Sequence, residues 1–343
     1  PGNLNNEIGL PLTVFQIDTS HEVAVLELGM NHFGEMHRLS KIARPDYCVF
    51  TNIRDVHLEF LGTRDGVFKA KSELLDFAAP DVKIFTNGDD DKLIALKDRA
   101  VTFGLHSDDR IWADQIENLD GVRCCIHTPS GDITPVIPLP GNHMVYNACA
   151  GTSVGLALGL TLEEIFHGIE ALKAIAGRGH VIHASHYTLL DDCYNAGPDS
   201  MKGALDTLNY ALTRKVAVLG DMGELGTNSE ALHASVGTHM ADLHIDLLVT
   251  IGVKSQAIHE AAKQAAVNKL ADISDTSQKE IAAELLLEAK GFSNAVVSVT
   301  DGNVDVVINS TKLDDTLRAQ VEDIVKRKTG VSADKITINI CNN

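Results

Sequence analysis

Three residues in the first quarter of the chain carry side chains that could together hold a divalent cation. Glu27 ends the apolar run VAVLEL, His57 follows a second apolar run, YCVFTNI, and Lys71 lies in VFKAKSELLDF. A carboxylate, an imidazole and a modifiable lysine could build one magnesium site. For the three side chains to bind one ion, the strands and the helix that carry them must bring them to the same edge of the fold.

Each of the three residues also has an ordinary structural interpretation. VAVLEL is typical of a buried parallel strand, and ligands gather at the carboxyl ends of such strands, but Glu27 could equally be a solvated carboxylate there. His57 also lies past a strand end, where a lone histidine is more often structural. The apolar spacing around Lys71 predicts a helix, on which a lysine is usually solvated. The residues alone leave both interpretations open.

A series of further segments follows in order along residues 1–264: PGNLNNEIGLPLT, VLELGMNHFGEM, RPDYCVFTNI, HLEFLG, KAKSELL, LPGNHMVYNACA, Gly177-Arg178, LLDDCYNAGPDSM and VAVLGDMGELG, with His233 following. Taken as a whole, this pattern resembles the Mur ligases, in the branch that adds D-alanyl-D-alanine to a UDP-muramoyl tripeptide. So many ordered matches are far more specific than a single glycine motif.

The resemblance implies roles for particular positions. Glu27 and His57 match magnesium ligands, and Lys71 matches a carbamylated lysine, whose modified side chain is an anion suited to a hard cation. The residues implied to bind ATP are His143, Asn147, Arg178, Asp192, Tyr194 and Asn195, and those implied on the substrate side are Asn5, Asn6, Asp221 and Glu224.

The implied reaction is that of an ATP-dependent acid–amino acid ligase. A peptide carboxylate attacks the γ-phosphate of ATP to give an acyl phosphate, and the amine of D-alanyl-D-alanine displaces phosphate to form an amide. ATP and Mg²⁺ are the implied cofactors, since magnesium and fixed cations offset the repulsion between anions. The implied pathway is cytoplasmic synthesis of peptidoglycan precursors for the cell wall, which underlies cell shape and division.

The family's phosphate loop, of the form GxxGK[ST], does not occur in the 343 residues. Backbone amides and a lysine of such a loop hold phosphates. We therefore interpret the sequence as an amino-terminally truncated ligase fragment, and we do not expect these residues alone to turn over ATP.

Composition excludes several classes of protein. A net charge of −18 argues against nucleic acid and acidic membrane surfaces as partners. The longest weakly polar run, ACAGTSVGLALGL, is shorter than the ~20 residues of a membrane span. The six cysteines show no metal spacing and no disulfide framework, which suits a reducing cytosol.

The fold class predicted for the ligase part is α/β. We expect an incomplete P-loop-type central domain over residues 1–178, with short strands and turns between residues 82 and 139, and a partial Rossmann-like C-terminal domain over residues 179–266. In the latter, KVAVLGD and LLVTIG alternate with helical segments and predict a small parallel sheet.

Residues 277–343, after a junction at 267–276, have a different character. A helix ending near Gly291, a hairpin around Asp301-Gly302, a helix from Asp314 to about Gly330 and the strand KITINI predict the order αββαβ. EAKGFSNAVVSVTDGNVDVVINSTKL and QVEDIVKRKTGVSADKITI resemble the ring-building domain of stage III sporulation protein AH. That resemblance implies a structural, self-associating module of sporulation, fused to a ligase remnant, as the alternative function.

Overall fold

The computed structural model describes residues 3–119 and 121–341. It divides into two compact units, Pro1–Ala262 and Lys263–Asn343. None of the helices in the described ranges combines the length and apolar character that a membrane crossing requires.

The first unit contains eleven strands among its described residues. They are β1 Tyr47–Phe50, β2 Lys83–Asn87, β3 Ala100–Gly104, β4 Ile111–Leu119, β5 Gly121–Thr128, β6 Gly131–Ile133, β7 Val136–Ile137, β8 His180–His183, β9 Thr188–Asp191, β10 Val216–Gly220 and β11 Leu247–Ile251. Its helices are α1 Gly9–Val14, α2 Glu35–Ala43, α3 Leu58–Leu61, α4 Arg64–Ser72, α5 His143–Ala157, α6 Leu162–Glu170, α7 Pro198–Asn209 and α8 Ser229–Ala241.

The main sheet has the order β1-β2-β3-β4-β5-β6, with β7 paired to β5. Strands β1 to β4 are parallel, and the pairs β4·β5, β5·β6 and β5·β7 are antiparallel. Consecutive residues of β2 pack into different cores: Ile84 joins the core with helices α2 to α4, and Phe85 joins the core with α5 and α6. Because neighbouring side chains of a strand point to opposite faces, helices cover both faces of this part of the sheet.

The predicted strand VAVLEL is wrong. Residues 23–30 form no strand, and the side chains of Val23 and Val25 are 53% and 92% exposed. Just after the run, Gly29 N donates a 2.8 Å backbone hydrogen bond to Asn5 O, which belongs to no strand. An apolar run becomes a buried strand only where a neighbour pairs with it, and no described strand does so here.

The small parallel sheet predicted for residues 179–266 is confirmed. Strands β10 and β11 pair in parallel, from Val216 with Leu247 to Gly220 with Ile251. Helices α7 and α8 pack with them around Met222, which is fully buried. A separate antiparallel hairpin, β8 with β9, precedes this sheet.

The order αββαβ predicted for the second unit is also confirmed. The helix α9 Gln256–Ala289 is continuous through residues 267–276 and is followed by β12 Val296–Thr300, β13 Asn303–Asn309, α10 Asp315–Thr329 and β14 Ile336–Cys341. The hairpin turn at Asp301-Gly302 has positive φ at both residues, 49° and 74°, as a type I′ turn requires. Asp314 caps α10 by accepting a 3.0 Å hydrogen bond from Leu317 N, and Gly330 ends it with a φ of 78°.

Truncation of Phe85 should destabilise the first unit strongly. Phe85 is 0% exposed and Phe15 is 84% exposed, so they form a matched pair of phenylalanines. We expect Phe85→Ala to lower the free energy of unfolding by about 3–5 kcal/mol and Phe15→Ala to change it by less than about 0.5 kcal/mol. Denaturant unfolding followed by the fluorescence of Trp112, the single tryptophan, measures both. Equal effects would contradict the assignment of this core.

Candidate active site

His57 and Glu224 lie together although 167 positions separate them. The Nδ1 atom of His57 shares a short hydrogen bond with a carboxylate oxygen of Glu224, and Glu59 N donates to Glu224 O at 3.2 Å. Both residues have positive φ, 54° for His57 and 57° for Glu224. Such values are uncommon outside glycine and are often found at functional sites. The contact brings a predicted metal ligand to a predicted substrate-side residue.

Two hydrogen bonds hold the loop that carries Glu224. His233 is fully buried, and its Nε2 atom accepts a 2.9 Å hydrogen bond from Met222 N. The carboxylate of Asp221 accepts a 2.7 Å hydrogen bond from Ser255 N, and this donor is the largest cause that lowers the pKa of Asp221 below its ordinary value. Asp221, which the sequence placed on the substrate side, therefore anchors the segment before α9.

Lys71 lies near the end of α4, in the helix that the apolar spacing predicted. Its Nζ atom donates a 3.1 Å hydrogen bond to Asn52 O. Burial lowers the pKa of Lys71, the negative charge of Asp90 acts in the opposite direction, and Arg54 lowers it further. A lowered pKa increases the fraction of neutral amine, which is the form that reacts with carbon dioxide.

Asp90 is the residue that sequence reasoning missed at this site. Its side chain is 1% exposed, and it accepts hydrogen bonds from Ile53 N at 2.7 Å, Lys92 N at 3.0 Å and Leu93 N at 3.2 Å. The bond to Ile53 fixes the backbone next to Asn52, which holds Lys71. The acidic run TNGDDD directly after the β2 apolar residues was the available signal.

Glu27 lies with the asparagines at the start of the chain. Its Oε1 atom accepts hydrogen bonds from Asn3 Nδ2 and Asn5 Nδ2, both at 3.0 Å. The neighbouring Asn6 instead starts α1, since its Oδ1 atom accepts from Gly9 N at 2.8 Å. No direct hydrogen bond or ion pair within residues 3–119 and 121–341 joins Glu27, His57 and Lys71 to one another. Their common magnesium site stays a prediction.

A second cluster joins the glycine-arginine turn to the DDCYN segment. The guanidinium of Arg178 lies 4.1 Å from the ring centroid of Tyr194, a cation–π contact. Gly177 O accepts a 2.9 Å hydrogen bond from Tyr194 N, and Asp192 Oδ1 accepts a 3.0 Å bond from Gly179 N. Three of the predicted nucleotide residues, Arg178, Asp192 and Tyr194, are thus brought together.

His143, another of the predicted nucleotide residues, is the first residue of α5. Desolvation lowers the pKa of His143, and the charge of Asp192 acts in the opposite direction. A Cβ atom at Gly141, whose φ is 98°, would lie 2.6 Å from the His143 ring and 3.0 Å from Thr207 Oγ1. Only glycine fits that close approach.

The two remaining predicted residues make local contacts only. Asn147 Nδ2 lies 3.5 Å from Met144 Sδ, one turn earlier in α5. Asn195 Oδ1 accepts a 2.9 Å hydrogen bond from Ala196 N, just before α7. Both asparagines are exposed, so their amides are available to a ligand.

The geometry predicts that Lys71 forms a carbamate more readily than exposed lysines. With ¹³C-labelled bicarbonate at mildly alkaline pH, we expect one carbamate carbon resonance that disappears in Lys71→Arg. Lys69→Arg is the control, because Lys69 lies on the same helix and is exposed. A resonance that survives Lys71→Arg would show that the buried amine is not the modified one.

Two protein families match parts of the chain. The Mur ligase middle domain matches residues 1–155, and the SpoIIIAH-like protein family matches residues 246–338. Among curated relatives, the UDP-N-acetylmuramoyl-tripeptide–D-alanyl-D-alanine ligase of Escherichia coli is 34% identical over 275 residues, which are 76% of this chain and 60% of that enzyme. The corresponding ligase of Treponema pallidum is 40% identical over 69% of this chain and 51% of its own length.

Solved structures agree with these matches. A crystal structure of MurF from Acinetobacter baumannii superposes with a TM-score of 0.73 at 34% identity, over 81% of this chain and 64% of that one. MurF ligase from Thermotoga maritima in complex with ADP gives a TM-score of 0.68 at 26% identity, over 75% of this chain and 61% of that one. The chain therefore spans between about half and two thirds of the length of these relatives.

Proposed function

The N-terminal three quarters of this chain is homologous to the Mur ligases, and from that premise we propose that the protein joins D-alanyl-D-alanine to a UDP-N-acetylmuramoyl tripeptide at the expense of ATP. The observation that supports this most strongly is the pairing of Arg178 with Tyr194, beside the hydrogen bond that Gly179 N donates to Asp192. The pairing assembles predicted nucleotide residues from both predicted ligase domains, residues 1–178 and 179–266.

The proposed nucleotide site divides its tasks among these residues. His143 and Asn147 at the start of α5 take the adenine side, and Tyr194, Asp192 and Asn195 face the nucleotide from the segment before α7. Arg178 supplies a fixed positive charge, and its planar fork can contact two phosphate oxygens at once.

Magnesium would be held by residues whose chemistry fits a hard cation. Glu27 offers a carboxylate oxygen, His57 an imidazole and Lys71 a carbamate oxygen, and Mg²⁺ prefers oxygen ligands. When bound, the ion neutralises charge on the phosphates during transfer. The hydrogen bond between His57 and Glu224 gives the imidazole a fixed orientation, and Asn52 O holds the Lys71 amine in place.

On the substrate side, the loop after β10 places Glu224 next to α3. We propose that the Glu224 carboxylate and the side-chain amides of Asn5 and Asn6 face the peptides, while the Asp221 carboxylate holds the loop. Such a ligase, which uses a UDP-linked precursor and ATP, would act in the cytoplasm.

The proposed function predicts that phosphate release requires both the UDP-linked tripeptide and D-alanyl-D-alanine. With the protein as its gene encodes it, ATP and Mg²⁺, phosphate should be released only when the UDP-linked tripeptide and D-alanyl-D-alanine are both present. Arg178→Lys should lower kcat about 100-fold, because one phosphate-binding fork is lost. Arg123→Lys, an exposed substitution on β5, should leave kcat unchanged. Phosphate release at the same rate without D-alanyl-D-alanine would contradict the proposal.

A second function is proposed for the unit Lys263–Asn343, on the observation that the SpoIIIAH-like family matches residues 246–338. This unit has its own core, in which helices pack on one face of the sheet β12-β13-β14. Strand β12 is an edge strand, and its Val296 is 56% exposed. The N–H groups of Val297 and Val299 on this edge donate to Glu284 and Glu280 of α9, at 2.9 and 2.7 Å, so the exposed side chains of the strand form the surface offered to a second copy. We propose that the unit self-associates through this strand.

Self-association should depend on concentration and on the edge strand. Sedimentation of residues 263–343 should show a mass that rises above the monomer as concentration increases, and Val296→Lys should shift the association to at least tenfold higher concentration. Val267→Lys is the control, because Val267 is 51% exposed on α9. A monomer at every concentration, or loss of association in Val267→Lys alone, would refute the edge-strand proposal.

A further inference from the structure

The hairpin formed by β4 and β5 carries a cluster of metal-ligating side chains outside the proposed active site. In its antiparallel register, Trp112 faces His127 and Asp114 faces Cys125. Residues at alternate positions share one face of a sheet, so all four side chains project together. A carboxylate oxygen of Asp114, the sulfur of Cys125 and a ring nitrogen of His127 all lie within 4.8 Å of one another.

Two of these three atoms have a spacing close to that in a zinc site. Asp114 Oδ1 and His127 Nε2 are 3.1 Å apart. Tetrahedral zinc, with ligands at about 2.0–2.1 Å, places a nitrogen and an oxygen roughly 3.3 Å apart. For this oxygen–nitrogen pair, a metal ion could replace the hydrogen bond with a shift of about 0.2 Å.

A second carboxylate orients the histidine from its other side. His127 Nδ1 lies 3.1 Å from Asp132 Oδ1, and the two residues are directly opposite each other in the β5·β6 pair. Histidines that bind metals usually donate their second ring N–H to a carboxylate in this way. The ring of Trp112 stacks on His127 with centroids 3.9 Å apart, which also fixes the imidazole plane.

The backbone next to Asp114 is irregular. The register of β4 and β5 shifts between Asp114 and Glu117, and Gln115 has a φ of 50°. Bulges of this kind redirect side chains and are frequent beside functional sites. Cys125 is 9% exposed, whereas the side chain of Asp114 is 44% exposed, so the cluster is closed on the thiol side and open to solvent on the carboxylate side.

We propose that Asp114, Cys125 and His127 bind one divalent transition metal, with zinc as the first candidate and the fourth position open to water. Thiolate and imidazole ligands favour zinc over magnesium, so the site is chemically distinct from the proposed magnesium site. Binding replaces the thiol proton of Cys125 by a sulfur–metal bond and releases that proton to solvent, without oxidation or reduction.

Cobalt(II) is the probe, because a bound thiolate gives it a charge-transfer absorption that free cobalt lacks. Titration of the chelator-treated full chain should give a band that saturates at one cobalt per chain. Zinc should displace the cobalt and remove the band, and a large excess of magnesium should not. Absence of a saturable band would overturn the proposal.

Single substitutions test which side chains bind the metal. Cys125→Ser should abolish the band, and Asp132→Asn should keep the band but weaken cobalt binding about 10-fold to 100-fold, since Asp132 only positions His127. Cys193→Ser is the control, because Cys193 is exposed and lies elsewhere in the unit. If Cys125→Ser fails to fold, His127→Gln decides the question, with a loss of at least tenfold in affinity expected. A band removed by Cys193→Ser and kept in His127→Gln would refute the site.

Discussion

The buried carboxylate of Asp90 is the constraint on which the proposed catalytic region depends. The Asp90 side chain is 1% exposed, so its negative charge must be stabilised inside the protein. It accepts hydrogen bonds from Ile53 N, in the segment after β1, and from Leu93 N, in the segment after β2. One of these donors, Ile53 N, belongs to the turn after β1. That turn supplies Asn52 O to Lys71 and Ile53 O to Arg64, so a single buried charge sets the backbone that holds Lys71.

The rest of the region is assembled from segments far apart in the chain. Glu224 reaches His57 only because His233 and Ser255 fix the loop after β10 at both of its sides. Arg178 reaches Tyr194 because Gly177 adopts a φ of 77° and its backbone bonds to the DDCYN segment. In both cases a short, sterically demanding turn carries the charged group. Ligase chemistry on anionic substrates needs such fixed groups, because repositioning them during the reaction would cost free energy.

Local patterns predicted the elements well, and long-range contacts were what the sequence could not provide. The helix around Lys71, the Asp301-Gly302 hairpin and the capped helix α10 follow from spacing, turn residues and caps, which act within a few positions. VAVLEL failed as a strand because pairing depends on a neighbour that periodicity does not specify. The role of Asp90 and the grouping of Asp114 with Cys125 and His127 depend on sheet register and on a bulge, so cysteine spacing alone gave no metal signal.

The most direct measurement is the titration of the Lys71 amine by NMR in ¹³C-lysine-labelled protein, compared between the native chain and Asp90→Asn. Burial lowers the pKa of Lys71 and the Asp90 charge opposes that effect, so removal of the charge should lower the pKa of Lys71 further. A pKa that stays constant or rises in Asp90→Asn would contradict the central place given to this buried carboxylate.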